Sequence, residues 1–134
     1  MCSPGQYIFT DCHEIVLKMV SENVILNLLH NERKIGSELK HDMLKLQLKY
    51  NCTDVKIIEL RWEDIDNYVN EKWIIPDIII GADILYDVDS FSILILGLKK
   101  FLSFVNRYAI IAATVRNENT VSQFLYQLGI SFNC

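Results

Sequence analysis

Short runs rich in β-branched residues alternate with stretches of helical periodicity along nearly the whole chain, and this alternation narrows the fold more than any other feature. Tyr7-Ile8-Phe9-Thr10 follows the turn dipeptide Pro4-Gly5 and stops at Asp11, which predicts a buried strand. From Cys12 to about Leu29, the residues Ile15, Val16, Met19, Val20, Val24 and Leu28 recur at three- and four-residue spacing and predict one apolar helix face. Asp11 and Glu14 have the spacing of a capping box at its start. The following stretch is polar, although Leu39, Met43, Leu46 and Tyr50 could form a further helical stripe. Val55 to Leu60 reads as a second strand, running into the loop Arg61 to Asp64, and Ile65 to Trp73 is expected to be helical in part.

Asp77 to Ala82 follows Pro76 as a continuous apolar run, the pattern of a strand covered on both faces by helices. Ser90 to Phe104 is expected to be a helix capped by Asp89 or Ser90, and Tyr108 to Val115 a further covered strand. Val121 to Leu128 then predicts a short helix with Thr120 as its cap and Gly129 as a left-handed terminator; Ile130-Ser131-Phe132 looks like the opening of another strand. This order predicts a mostly parallel, doubly wound α/β sheet in a single domain over residues 1–134. Ligands in such sheets sit at the carboxyl ends of the strands, which directs attention to Asp11, to 61–64, to 82–87, and to Arg116 with Asn117.

Composition removes several alternatives. With 51% hydrophobic residues in 134, there is enough apolar surface for one core. A net charge of -4 and a lack of clustered basic residues argue against a nucleic-acid-binding face, the doublet Lys99-Lys100 being expected at a solvated helix end. The longest apolar runs fall short of the roughly 20 residues of a membrane span. Cys2, Cys12, Cys52 and Cys134 show no metal-ligand spacing, and reduced thiols in a cytoplasmic chain fit them best. His13, His30 and His41 have no recurring partner spacing, and neither a nucleophile elbow nor a phosphate loop is present.

Asp11 stands where a strand ends, a position from which a carboxylate can accept bonds from both hydroxyls of a ribose; helix capping with Glu14 explains it equally well. Trp62 follows a strand by two residues and could lie over a purine, or simply pack in the core. In Gly81-Ala82-Asp83-Ile84-Leu85-Tyr86-Asp87, small residues at a strand end would admit a planar base. Asp83 and Tyr86, three apart, would project together if the loop turned helically; the alternative is that Asp83 caps a turn and Tyr86 packs. The acids Asp83, Asp87 and Asp89 lack the glycine and terminal glutamate of a calcium loop, so no metal site is expected.

The segments Tyr-Ile-Phe-Thr-Asp-Cys-His (7–13), Asn-Val-Ile-Leu-Asn (23–27), Glu-Leu-Arg-Trp (59–62), Gly-Ala-Asp-Ile-Leu-Tyr-Asp (81–87) and Ala-Thr-Val-Arg-Asn-Glu-Asn-Thr (113–120) together span most of the chain. With them the sequence resembles the class I, seven-β-strand methyltransferases of methyltransferase family 16, in particular those that modify lysine in elongation factor 2. The resemblance implies a Rossmann-like sheet, S-adenosyl-L-methionine as cofactor, and a protein substrate, translation elongation factor 2. It further implies that Asp11 meets the ribose, that Trp62 and Ala82 meet the adenine side, and that Asp83, itself a cofactor contact, stands with Tyr86 between cofactor and incoming lysine. Direct displacement by a neutral amine, with no metal and no covalent intermediate, is the implied chemistry.

Two departures accompany the resemblance. Arg61 replaces the usual acid before the tryptophan, and the glycines at 5, 36, 81, 97 and 129 are too dispersed to form the Glu-x-Gly-x-Gly cradle. The expectation is therefore an incomplete, inactive piece lacking the first strand and the last strands, poorly soluble because central strand edges are unpaired. The alternatives are a noncatalytic interaction protein derived from such an enzyme and a nicotinamide-binding α/β module, the latter weakened by the Trp62 and Ala-Asp-x-x-Tyr combination.

Overall fold

The β-branched run at 7–10 lies inside the first strand, β1 (Gln6–Asp11), of the computed structural model, which describes residues 4–28, 44–70 and 75–132. There follow α1 (Glu14–Leu28), β2 (Leu44–Tyr50), β3 (Thr53–Glu59), a 3₁₀ turn (Trp62–Asp64) and α2 (Ile65–Asn70). Beyond them come β4 (Ile78–Ala82), a second 3₁₀ turn (Val88–Ser90), α3 (Phe91–Leu102), β5 (Tyr108–Ala112) and α4 (Glu118–Phe132). The fold is mixed α/β and divides into two compact units, Met1–Arg61 and Trp62–Cys134.

In the first unit the strand order is β1-β3-β2, with β1 parallel to β3 from Gln6 opposite Asp54 to Asp11 opposite Glu59, and β2 antiparallel to β3. The helical stripe expected from Leu39 to Tyr50 is corrected: Leu39 and Met43 lie outside the described residues, while 44–50 is strand. Leu44, Leu46 and Leu48 alternate with Lys45, Gln47 and Lys49, and this two-residue period puts the leucines on one face as no helix would. Asn51, at φ 53°, turns β2 into β3, a left-handed conformation that asparagine tolerates.

Leu17, Val24, Leu48, Val55 and Ile57 form the core of this unit, with Phe9, Val20, Leu28 and Leu46 packed around them. The expected face of α1 is thus half right. Val20, Val24 and Leu28 face the sheet with Leu17, whereas Ile15, Val16 and Met19 are exposed. Apolar residues surround almost the whole circumference of α1, so spacing alone admits two faces and sheet packing selects one. The capping box is also not formed. Helix α1 begins at Glu14, its first turn closed by the Leu17 N–H donating to the His13 carbonyl at 3.0 Å.

In the second unit β4 and β5 pair in parallel, from Ile78 opposite Tyr108 to Ala82 opposite Ala112, with α3 as the crossover. Phe91, Leu94, Ile95, Leu98 and Phe124 are its core, Phe91 and Phe124 meeting edge to face at 5.3 Å. Ile79, Ala109 and Ile111 pack against this cluster. Within this unit α3 and α4 share one cluster on one face of the β4–β5 pair. Ile78, Ile80, Tyr108 and Ile110 alternate onto the opposite face and are exposed.

Lys99 and Lys100 are not simply solvated, since Lys100 pairs with Asp66 at 3.1 Å and Lys99 lies over the Phe132 ring. Gly97 leaves room on α3 for the Ile65 side chain of α2. Helix α4 corrects three expectations at once. It runs through Gly129 to Phe132, so Gly129 does not terminate it and no strand opens at 130–132. Its cap is Asn117, whose side chain accepts the Asn119 N–H at 2.9 Å and whose carbonyl accepts from Thr120 and Val121.

Candidate active site

Parallel register brings Asp11 and Glu59 side by side at the carboxyl end of the first unit's sheet. The Asp11 carboxylate accepts the His13 N–H at 2.8 Å, and its carbonyl accepts the Leu60 N–H at 3.0 Å, which fixes the strand end on both sides. One carboxylate oxygen takes that bond, and a carboxylate offers about four acceptor sites, so corner bonding leaves capacity for a ligand hydroxyl. Beside it the Lys45 ammonium meets Glu59 at 2.7 Å, and this bond, with its charge, holds the Glu59 carboxyl below its ordinary value.

At the carboxyl ends of β4 and β5 the second unit is tied together by Asp83. Its N–H donates to the Ala112 carbonyl at 2.8 Å, extending the ladder by one step beyond the strands. Its backbone then turns left-handed, at φ 54°, and its carboxylate accepts the Thr114 N–H at 2.9 Å. The Thr114 amide and hydroxyl, with a smaller contribution from Arg116, lower the Asp83 pKa below its usual range. The Arg116 guanidinium stands 4.0 Å from the other carboxylate oxygen, and the Arg116 N–H folds back onto the Thr114 carbonyl at 2.8 Å.

Residues 84–87 are not helical, so the helical turn expected to project Asp83 and Tyr86 together is not formed. Tyr86 is 73% exposed. Asp87 accepts the Asp89 N–H and caps the 3₁₀ turn that leads into α3. Gly81 is buried, and a Cβ there would meet Ile84 Cδ1 at 2.6 Å, so the chain itself fills the space beside it. Ala82 is exposed on the opposite face. Trp62 begins the first 3₁₀ turn and is half-buried against the Phe91 cluster.

Asp11 therefore belongs to the first unit, and Trp62, Ala82, Asp83 and Tyr86 to the second. Thr114 is the residue that sequence reasoning missed. It lies 31 positions from Asp83, and only the parallel pairing of β4 with β5 brings the two together. A signal existed in the expectation that both strands end at the same rim, which made the residue after β5 a natural partner for the residue after β4.

Residues 37–129 match the family model described as lysine methyltransferase, and the chain belongs to that family. Among curated proteins it is 31% identical over 134 residues to the protein-lysine N-methyltransferase EEF2KMT of Homo sapiens, covering 96% of this chain and 37% of that protein. It is also 31% identical over 133 residues to the EEF2KMT of Bos taurus, covering 96% of this chain and 38% of that protein. The chain thus spans little more than a third of the length of these relatives. Among the described residues no helix is long and apolar enough to cross a membrane.

Proposed function

We propose that this chain is part of an S-adenosyl-L-methionine-dependent protein-lysine N-methyltransferase acting on translation elongation factor 2 in the cytoplasm, built on a Rossmann-like doubly wound sheet. The observation that carries the reading is the family match over 37–129, which contains both Glu-Leu-Arg-Trp and Gly-Ala-Asp-Ile-Leu-Tyr-Asp. S-adenosyl-L-methionine supplies an electrophilic methyl group. On this reading the residues fit it in part: in the first unit Asp11 retains acceptor capacity for a ribose, and in the second Trp62 and Ala82 are assigned to the adenine side, with Asp83 as a further cofactor contact. The dispersed glycines offer no cradle of backbone N–H groups.

The contribution of the protein on the lysine side is alignment, which can be worth roughly 7–11 kcal/mol when nucleophile and acceptor are held in line. Asp83 and Tyr86 are the residues assigned there. Incubating the polypeptide that carries these residues with tritium-labelled donor and purified elongation factor 2 tests the reading. Acid-stable label on a single lysine is expected, and it should vanish when that lysine is replaced by arginine. A protein that binds the donor yet labels no lysine in any substrate sinks it.

The exposed apolar faces favour one second reading, a noncatalytic interaction protein. Calorimetric titration with S-adenosyl-L-methionine separates the two, since folded protein that takes up no donor supports the second.

A further inference from the structure

The contacts of Asp83 give it a job within the fold beside the one the family motif suggests. We infer that Asp83 is a positioning residue: its carboxylate clasps the loop after β5 through Thr114, fixing the end of β4 and the segment that presents Tyr86. Three observations within the second unit converge on this. The Asp83 N–H is used by the Ala112 carbonyl at 2.8 Å, and one carboxylate oxygen is used by the Thr114 N–H at 2.9 Å. The residue stands at φ 54°, where an aspartate is among the few side chains tolerated, and where its own short chain can reach back to the neighbouring loop. The far loop is curled to receive it, with the Arg116 N–H on the Thr114 carbonyl at 2.8 Å and the Arg116 guanidinium 4.0 Å from the second oxygen.

A carboxylate bonded in this way is held in its ionised form and in one orientation, which suits a fixed acceptor and disfavours a proton-accepting base. The phenol of Tyr86, 73% exposed and three residues on, is free to touch an incoming chain. The inference deepens the methyltransferase reading and rests on it for the identity of the substrate, but the clasp itself does not.

The test compares Asp83→Asn, Asp83→Ala and Tyr86→Phe in the protein that carries this chain. Asparagine keeps an acceptor for the Thr114 N–H and tolerates the left-handed backbone; alanine does neither. In amide-resolved magnetic resonance, the Thr114 N–H should shift with pH as the Asp83 carboxyl titrates, lose that dependence in Asp83→Asn, and exchange with solvent at least about tenfold faster only in Asp83→Ala, as expected for loss of a charge-assisted bond. In methyl transfer, Asp83→Ala should lower kcat by about tenfold or more and by a clearly larger factor than Asp83→Asn, with Tyr86→Phe acting on KM. Equal loss in Asp83→Asn and Asp83→Ala, with the Thr114 amide unaffected by either, overturns the inference. If the wild-type protein transfers no methyl group, the methyltransferase reading fails, and the Thr114 amide still decides the clasp.

Discussion

Phe91 is fully buried and meets Phe124 edge to face, so the second unit hangs on it more than on any charged residue. Phe91→Ala should destabilise by about 3–5 kcal/mol, the usual cost of emptying a large aromatic site, measurable as a fall in the urea midpoint at unchanged slope. Among the described residues, two carboxylates contribute to the acid response. Glu59 and Asp83 have folded values depressed below 4.5 and 3.8 by Lys45 and by Thr114 respectively. A depressed carboxylate contributes stability that is present above its ordinary value and lost as pH falls through the folded one. Thermal stability should therefore be level above about pH 5 and decline below it, and Lys45→Met should flatten the part of that decline owed to Glu59. Both sites are solvent-facing, so 1 M salt should shrink the effect of the Lys45 pair.

At the scale of elements, α4 shows how tertiary contacts override local signals. Gly129 sits in mid-helix with ordinary helical backbone, and a Cβ there would meet nothing within 4 Å. Gly129→Ala should therefore stabilise the protein by about 0.5–1 kcal/mol, seen as a higher melting temperature; a glycine that ended the helix would give the opposite sign. Strand β2 carries the converse lesson. Its Leu-Lys-Leu-Gln-Leu-Lys alternation was present in the sequence, but a stripe begun at Leu39 imposed a helical frame on it, and β3 supplied the pairing that decided the matter.

Across the whole molecule, large apolar residues remain in water on α1 and on one face of the β4–β5 pair, among them Ile15, Met19, Ile80 at 67% and Ile110 at 58% exposed. Exposed apolar patches of this kind drive association. The purified chain should self-associate with rising concentration, and replacing Ile80 and Ile110 together by threonine, which keeps strand propensity, should reduce light scattering without loss of circular dichroism. Unchanged scattering would place the sticky surface elsewhere.

By itself the sequence determined that strands alternate with helices and where β1, β3, β4, β5 and α3 lie, because β-branched runs and apolar spacing are local properties of the chain. It also marked the strand ends, beside which Asp11, Trp62, Ala82 and Asp83 lie. Only tertiary structure decided which face of α1 is packed, that α3 and α4 share one face of β4 and β5, and that Asp83 is bonded to Thr114. Each of these depends on which distant segments meet, and a bond spanning 31 residues leaves no trace in the local pattern that spells out a strand or a helix.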